Sequence, residues 1–423
     1  MAITPLEKIH HQTLSHGLEA FVLPRKYNKL YAVIGTKYGS IDNEFVVPGH
    51  DGPTAVPAGI AHFLEHKLFD EEWGNAFERF GELGASANAY TSYALTAYLF
   101  SATDGFWESF DLLLDFVQNP YFTPESVAKE KGIIQQELMM IEDDPDHRLV
   151  SSLLKALFHK NPVRIEIGGT VESIEEITPE LLYDCHKTFY HPSNMALCVV
   201  GDVDPQSIME RVEANLRSRD YGEQGEIQRI MPAEPAEIKE ARVESKLLVS
   251  RPRFALGFKE TGPSLKGKEL LRREIATNLL LELLLGRSSD LYNSLYEQGI
   301  IDDNFSHVYY ANEHFGFTLI GGETEDPARL EEQLRAGLQA CKEKTIPSSD
   351  LERVRKKAIG QFVGSLNSSD RVANNILAYH FRGHSLDDYF EVLQDVALAD
   401  VEERWRHLNM EAAAVSIVRP SGS

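Results

Sequence analysis

The stretch AGIAHFLEHKLFD, residues 58–70, places three titratable side chains in an otherwise apolar run. His62, Glu65 and His66 follow the spacing H-x-x-E-H. On a helix, where each residue turns by about 100°, the three side chains fall within an arc of roughly 100°. Burying polar groups on an apolar face costs free energy unless they are hydrogen-bonded, paired or bound to a metal. The stretch therefore predicts a helix that carries a functional site.

The residue types of this motif indicate metal chemistry. Two imidazoles at positions i and i+4 can reach one metal ion from the same face of a helix. The glutamate between them lies beside the open coordination position, where it can take a proton from water and pass it to a leaving amine. This order of residues is the inverted zinc-protease motif. The motif alone leaves a second interpretation, in which two histidines lie at the edge of the core and the glutamate is solvated.

A further protein ligand is needed, because zinc in catalytic sites usually has three protein ligands and one water. The segment 123–144 has the pattern of a long helix, and Glu130 and Glu137 lie on its apolar face. Carboxylates are seldom buried unless they are paired or bound to a metal. The alternative is a salt bridge to Lys129 or Lys131, but these lysines point to other faces of the helix. The two glutamates are therefore candidates for the missing ligand.

Length and composition narrow the class of protein. A chain of 423 residues is too long for one ordinary core and predicts at least two domains. A formal net charge of -23 argues against binding to nucleic acid or to anionic membranes. Three widely spaced cysteines predict no disulfide framework. The N-terminal segment shows no signal-peptide pattern, and the longest apolar run is too short to span a bilayer, so a cytoplasmic location is expected.

The order of predicted elements repeats along the chain. In the first half, strand-like runs and helices alternate, and the second half repeats this order after a polar segment at 218–245. The predicted fold is α+β, with two structurally homologous domains that each contain a mostly antiparallel sheet packed with helices. The predicted ranges are 1–217 for a zinc-binding catalytic domain, 218–245 for a linker and 246–423 for a second domain that binds no metal.

Four motifs occur in order and resemble one known family. They are GIAHFLEHKLF, ASANAYTSYALTAYLF, EKGIIQQE and FYHPSNMALCVVGDVD, and the resemblance that they carry covers most of the first 205 residues. Together they resemble the M16 family of zinc peptidases, which includes pitrilysin, insulinase and the mitochondrial processing peptidase. The length is similar to the short, two-domain bacterial insulinase-like branch. The resemblance implies the LuxS/processing-peptidase-like metallohydrolase fold.

The resemblance also implies roles for the residues of the motif. It implies one Zn²⁺ per chain, with His62, His66 and Glu137 as ligands. It implies Glu65 as the general base, and Glu130 as a supporting catalytic carboxylate that orients the site.

The motif ASANAYT gains a role from the same resemblance. It implies an edge strand that pairs with the backbone of a peptide substrate, lined by Asn88, Ala89 and Tyr90. The implied function is a zinc-dependent endopeptidase that acts on short or unfolded peptides in a chamber closed by the second domain. The alternative is a catalytically weak scaffold or binding subunit of a peptidase-like complex.

The second half lacks the metal motif. Its helices carry no H-x-x-E-H, and Val354 and Gln361 occupy the places of Glu130 and Glu137. The second domain is therefore not expected to bind an equivalent zinc.

A substrate-gripping Arg-Tyr pair of many family members is also absent from the corresponding segment, 295–306. Gln298 or Gly299 lies near the place of the arginine, and Asp302 or Asp303 near that of the tyrosine. We therefore expect a heterodimer with an M16-like subunit that supplies the pair, although a homodimer is also compatible with the sequence.

Overall fold

A computed structural model describes residues 8–410 and 412–422 of the chain. Residues 1–7, which belong to the N-terminal segment that shows no signal-peptide pattern, lie outside this part. The described strands are β1 (His10–Thr13), β2 (Glu19–Pro24), β3 (Leu30–Thr36), β4 (Glu44–Phe45), β5 (Thr54–Ala55), β6 (Asp70–Glu71), β7 (Gly74–Asn75), β8 (Ser86–Thr91), β9 (Thr96–Ala102), β10 (Met195–Gly201), β11 (Arg242–Leu247), β12 (Arg253–Lys259), β13 (Ser306–Ala311), β14 (Gly316–Glu323) and β15 (Ala413–Pro420).

The described α-helices include the two that carry the motifs, α1 and α4. They are α1 (Ile60–Leu68), α2 (Ala76–Glu82), α3 (Phe106–Gln118), α4 (Pro124–Asp143), α5 (Pro145–Leu157), α6 (Val171–Glu175), α7 (Pro179–Phe189), α8 (Pro205–Arg217), α9 (Gly267–Leu285), α10 (Asp290–Glu297), α11 (Pro327–Lys342), α12 (Ser348–Ser365), α13 (Ser369–Phe381), α14 (Leu386–Asp395) and α15 (Leu398–His407). Both motif helices form as the sequence predicts, and the motif ASANAYT forms the edge strand β8 that the resemblance implies.

The chain forms two compact units, each with its own sheet. In the first unit the strand order is β1-β2-β10-β3-β9-β8, and only the β2–β10 pair is parallel. In the second unit the order is β11-β15-β12-β14-β13, and only the β11–β15 pair is parallel. From β2 onward the two sheets therefore repeat the same order and the same directions. The predicted α+β fold with two homologous domains is confirmed.

The first sheet is buried on both faces. Ala32 and Ile34 of β3 face a core that includes α1, α3, α7 and α8. Because side chains alternate along a strand, Val33 and Gly35 face the other way, toward α13. A Cβ at Gly35 would lie 2.7 Å from the side chain of Leu377, so α13 packs directly on the backbone of β3.

The second sheet is covered in the same manner by α5, which comes from the first half of the chain. A Cβ at Gly257 of β12 would lie 2.7 Å from the side chain of Leu153. The first unit contains the described residues up to Leu138 together with Glu166–Met231 and Val363–Phe381. The units therefore do not coincide with the contiguous ranges 1–217 and 246–423, because each half of the chain contributes one helix to the sheet of the other half.

The polar segment 218–245 is held by specific contacts near its middle. Arg229 forms an isolated β-bridge with Phe45, and its guanidinium lies 3.0 Å from the carboxylate of Asp42 in the first unit. In the second unit, the Glu234 carboxylate accepts hydrogen bonds from three successive backbone N–H groups at 159–161 and from Lys259 Nζ at 2.6 Å. The segment also overlaps β11. Its polar character therefore reflects specific side-chain anchors as well as exposure.

Candidate metal centre

Helix α1 begins where two loops approach each other closely. Gly59 precedes the helix with φ 89°, and a Cβ there would lie 2.3 Å from the carbonyl oxygen of Gly168. Gly169 has φ +85°, and a Cβ on it would lie 2.4 Å from the carbonyl oxygen of Ala58. That oxygen also accepts a hydrogen bond from Ser173 Oγ at 2.7 Å. Residues without a side chain are needed at both positions, and the loop before α6 is thereby fixed against the start of α1.

The two faces of α1 have different surroundings. Phe63 and Leu64 are fully buried in the core of the first unit. His62 and His66 are partly exposed on the other side, and their ring centroids are 4.6 Å apart. Glu65 retains only 8% of its exposure. The apolar face thus holds the helix in place and presents the three titratable residues together.

Helix α4 brings two carboxylates to the same place. Ile134 is buried on the face that packs into the core, and Glu130 is buried beside it, whereas Glu137 is partly exposed. The Glu137 carboxylate lies 3.8 Å from His62 Nε2 and 3.6 Å from His66 Nε2. The structure therefore brings together residues that are about 70 positions apart in the sequence.

His62, His66 and Glu137 fit a zinc ion. Their ligand atoms all lie within 4.8 Å of one another. Zinc bonds of about 2.0–2.2 Å in a tetrahedral arrangement imply ligand atoms roughly 3.3–3.6 Å apart, close to the separations found between the two rings and the carboxylate. Two nitrogens and one oxygen would leave a fourth position open for water or substrate. Within residues 8–410 and 412–422, this is the single group of three or more His, Cys, Asp or Glu side chains with such an arrangement.

Glu130 supports the cluster without joining it. Its carboxylate oxygen lies 3.0 Å from His66 Nδ1. A protonated Nδ1 would donate to this oxygen and leave the Nε2 lone pair directed toward Glu137, the arrangement that orients histidine ligands in metal sites. The alternative is a salt bridge with Lys129 or Lys131, but the described ion pairs of Glu130 and Glu137 are with His66 and His62. Lys131 Nζ instead donates to the backbone oxygen of Glu175 at 2.6 Å.

Glu65 is held by a residue that the sequence argument did not single out. Thr91 Oγ1 donates a hydrogen bond to Glu65 Oε2 at 2.7 Å. Thr91 is the last residue of β8 and ends the motif ASANAYT. The available signal was a hydroxyl residue on the same strand face as Ala87 and Ala89, which pack against the core of the first unit.

Burial and neighbouring charges shift the pKa values of the three motif residues. Burial and the adjacent His66 ring lower the pKa of His62 to about 4. Burial alone would lower the pKa of His66, but the hydrogen bond with Glu130 and the nearby carboxylates raise it above its ordinary value. Burial raises the pKa of Glu65, and the hydrogen bond from Thr91 opposes this rise. A neutral His62 can act as a ligand, and a raised pKa moves Glu65 toward the range useful for a general base.

The predicted substrate strand is β8, at the edge of the first sheet. Asn88 is exposed, and its side-chain oxygen accepts a hydrogen bond from the backbone N–H of Ala89. The Tyr90 hydroxyl donates to Asn374 Oδ1 of α13 at 2.8 Å, and Asn374 Nδ2 donates to the hydroxyl of Tyr31. Tyr90 therefore anchors the strand to α13, whereas the backbone edge away from β9 has no neighbouring strand within the described residues.

The corresponding places in the second unit carry other side chains. Val354 is buried and Gln361 is exposed on α12. Asp302, near the expected place of the tyrosine, accepts a hydrogen bond from Arg251 at 3.1 Å, and Gln298 accepts one from Arg329 at the same distance.

Comparison with known proteins places these residues in a family. The family model described as Insulinase (Peptidase family M16) matches residues 50–171, and the model described as Peptidase M16 inactive domain matches residues 176–358. A Bacillus subtilis (strain 168) protein named uncharacterized zinc protease YmfH is 47% identical over 397 residues, which is 94% of this chain and 92% of that protein. The chain belongs to peptidase family M16.

Solved structures agree with this assignment and with the fold. A putative M16-like peptidase from Alicyclobacillus acidocaldarius has a TM-score of 0.95 and 38% identity, and the match covers 99% of this chain and 100% of that one. A protease from Helicobacter pylori has a TM-score of 0.78 at 20% identity, covering 98% and 100%, and shows the shared fold.

The M16 assignment confirms the resemblance predicted from the four motifs. The relatives named zinc protease support a peptidase-like function and zinc as the metal. All the proposed site residues, from His62 to Glu137, lie within the 50–171 match. In the described part of this M16 chain, no helix combines the length and apolar character required to cross a membrane.

Proposed function

We propose that this chain is a zinc-dependent endopeptidase that hydrolyses short or unfolded peptides bound along β8. The observation that carries the proposal is the Glu65 carboxylate, which is buried beside three side chains that suit a metal. A site that only bound zinc would not require this carboxylate. The peptidase-like names of relatives support the same reaction class.

In this mechanism His62, His66 and Glu137 hold the zinc. When bound, the metal would lower the pKa of a water and polarise the scissile carbonyl. Glu65 accepts a proton from the attacking water and delivers it to the leaving amide nitrogen. Glu130 keeps the His66 ring in one orientation through the contact to Nδ1.

The substrate side of the proposal rests on β8. Its free edge offers backbone N–H and C=O groups that a peptide in extended conformation can pair with. Such pairing recognises backbone more than side chains, so we expect broad sequence tolerance. Asn88, Ala89 and Tyr90 would lie along the bound peptide, and the anchor from Tyr90 to Asn374 would keep the strand in place.

Two features favour a second candidate, a catalytically weak scaffold subunit. Residues 176–358 match the model described as an inactive domain, and the segment 295–306 offers no Arg-Tyr pair. We propose that these features reflect a division of labour, in which an M16-like partner supplies the pair to a chain that carries the zinc site. Purified chain that shows full turnover without a partner would contradict this part.

The test of catalysis is Glu65→Gln, which removes the base and leaves the three ligands intact. We expect bound zinc to remain at one per chain and cleavage of a quenched peptide to fall by about 10²–10⁴-fold. Glu125→Gln, at an exposed position in the first turn of α4, is the matched control and should cleave normally. Equal cleavage by Glu65→Gln and the unmodified chain would show that Glu65 is not the base.

A further inference from the structure

We propose that Thr91 is a positioning residue that fixes the Glu65 carboxylate and links its orientation to the strand on which the peptide lies. This inference rests on the proposed peptidase function, which it deepens. The key observation is the hydrogen bond from Thr91 Oγ1 to Glu65 Oε2 at 2.7 Å, formed across 26 positions of sequence.

The hydroxyl proton of Thr91 belongs to this contact. The hydroxyl of Thr96, the cross-strand neighbour on β9, also lies 3.4 Å from Thr91 Oγ1. Thr96 uses its own proton to donate to the backbone oxygen of Tyr38 at 2.9 Å. A carboxylate can only accept, so Thr91 donates to Glu65 and the direction of the bond is fixed.

Because of this contact, the two oxygens of the Glu65 carboxylate have different roles. Oε2 is held by Thr91, whereas no described residue donates a hydrogen bond to Oε1, which stays available to the reacting water. A general base works only within hydrogen-bond reach of the proton that it takes. Fixing one oxygen of a buried carboxylate therefore keeps the other in a productive direction at little cost when the reaction occurs.

The position of Thr91 connects this function to substrate binding. Thr91 is the last residue of β8 and lies opposite Thr96 in the register with β9. One residue earlier, Tyr90 is anchored to Asn374 on the other face of the sheet. A peptide that pairs with the free edge of β8 would restrict the same short strand that holds the base. Binding along the strand and alignment of Glu65 would then reinforce each other.

The experiment compares two substitutions at one position. Thr91→Val keeps the branched shape that suits a strand and removes only the hydroxyl, whereas Thr91→Ser keeps the hydroxyl. For a quenched peptide we expect Thr91→Val to lower kcat by about 10- to 100-fold with little change in KM, and Thr91→Ser to recover most of the loss. Zinc content should stay at one per chain in both variants.

Thr13→Val is the matched control. Thr13 lies on β1, at the opposite edge of the same sheet, and its hydroxyl also donates to a carboxylate, Glu19 Oε1, at 2.9 Å. It should cleave like the unmodified chain. Normal kcat in Thr91→Val would overturn the proposal, as would a serine variant that is as slow as the valine variant.

A second readout does not depend on activity. In metal-free protein, Thr91→Val and Glu65→Leu should change the urea midpoint non-additively, because each removes the same hydrogen bond. Additive changes would overturn the role of Thr91 even if the chain is an active peptidase. Conversely, coupled midpoints in a chain that shows no zinc-dependent cleavage, with or without a partner, would support the contact and overturn the proposed function.

Discussion

The two units carry the same helix and strand arrangement with different chemistry. In the first unit, α1 and α4 are joined by His66 and Glu130, 3.0 Å apart. In the second, α9 and α12 are joined by an ion pair between Glu282 and Lys357, 2.6 Å apart. The last residue of the edge strand is Thr91 in β8 and Ala311 in β13.

This difference separates what the fold requires from what the site requires. Both units keep the strand order, the edge strand and the pair of long helices. Only the first unit has the two histidines and the carboxylates of the candidate site, together with the Thr91 hydroxyl that binds the Glu65 carboxylate. The scaffold therefore tolerates a buried Val354 at the place of Glu130, and in the second unit an ion pair joins the two long helices instead.

The largest loss of zinc binding and cleavage should come from replacing the third candidate ligand of the first unit with the residue found at the equivalent place in the second unit. Glu137→Gln introduces the residue found at Gln361 and removes a charged ligand. We expect zinc affinity to fall by more than about 100-fold and cleavage to be lost. The reciprocal control, Gln361→Glu, should leave zinc content at one per chain. Metal analysis after dialysis measures both, and retention of zinc by Glu137→Gln would show that another residue is the third ligand.

A smaller loss of zinc affinity is expected from a change at Glu130, on the same helix as Glu137. Glu130→Val introduces the residue found at Val354 and leaves His66 without its carboxylate partner. Zinc affinity should fall by about 10- to 100-fold, because supporting contacts tune a metal site less than its ligands do. The apo protein should lose no more than about 1–2 kcal/mol in the free energy of unfolding, because the His66 ring is partly exposed and water can replace the lost partner at Nδ1.

The reciprocal change introduces a glutamate into the second unit at the place that corresponds to Glu130. Val354→Glu places an unpaired charge at a site that is 1% exposed. We expect a loss of about 3 kcal/mol or more in the free energy of unfolding, measured by urea denaturation, with zinc content unchanged. An undiminished urea midpoint would mean that α12 can turn this side chain to solvent.

The smallest effect concerns the ion pair of the second unit. Lys357→Met removes the partner of Glu282, but the lysine side chain is 45% exposed, so solvent screens the interaction. The expected loss of unfolding free energy is below about 1 kcal/mol, with unchanged zinc and cleavage. A large loss of cleavage would contradict the view that this ion pair is only a structural contact between α9 and α12.

Much of the candidate site could be predicted from helical periodicity. The spacing of His62, Glu65 and His66 and the two glutamates of α4 put each group on one helix face before any contact was known. Periodicity fails to specify the side chains that come from strands and loops. Thr91 is one hydroxyl among several in its motif, and only the fold brings it to within hydrogen-bond distance of Glu65.

The domain boundaries illustrate a similar limit. The pattern of α5 shows an apolar face but not which sheet that face covers, and Leu153 and Leu377 are equivalent as sequence signals. Likewise, segment 218–245 is polar in composition, yet Glu234 is fixed by three backbone N–H groups and a lysine. Contacts between residues far apart in the sequence determine which sheet α5 covers and how the segment 218–245 is held. Composition carries no information about such contacts.

The exchanged helices have a consequence for how the chain is made. Domains usually fold in order as they leave the ribosome. Here the sheet beneath the candidate metal centre stays open on one face, along Val33 and Gly35, until α13 has been synthesised. By then most of the second unit has been synthesised as well, although β15, which lies between β11 and β12, follows later still. The two units must therefore mature together, and a ribosome-bound chain that stops at the polar segment would expose this face and carry α5 without its sheet.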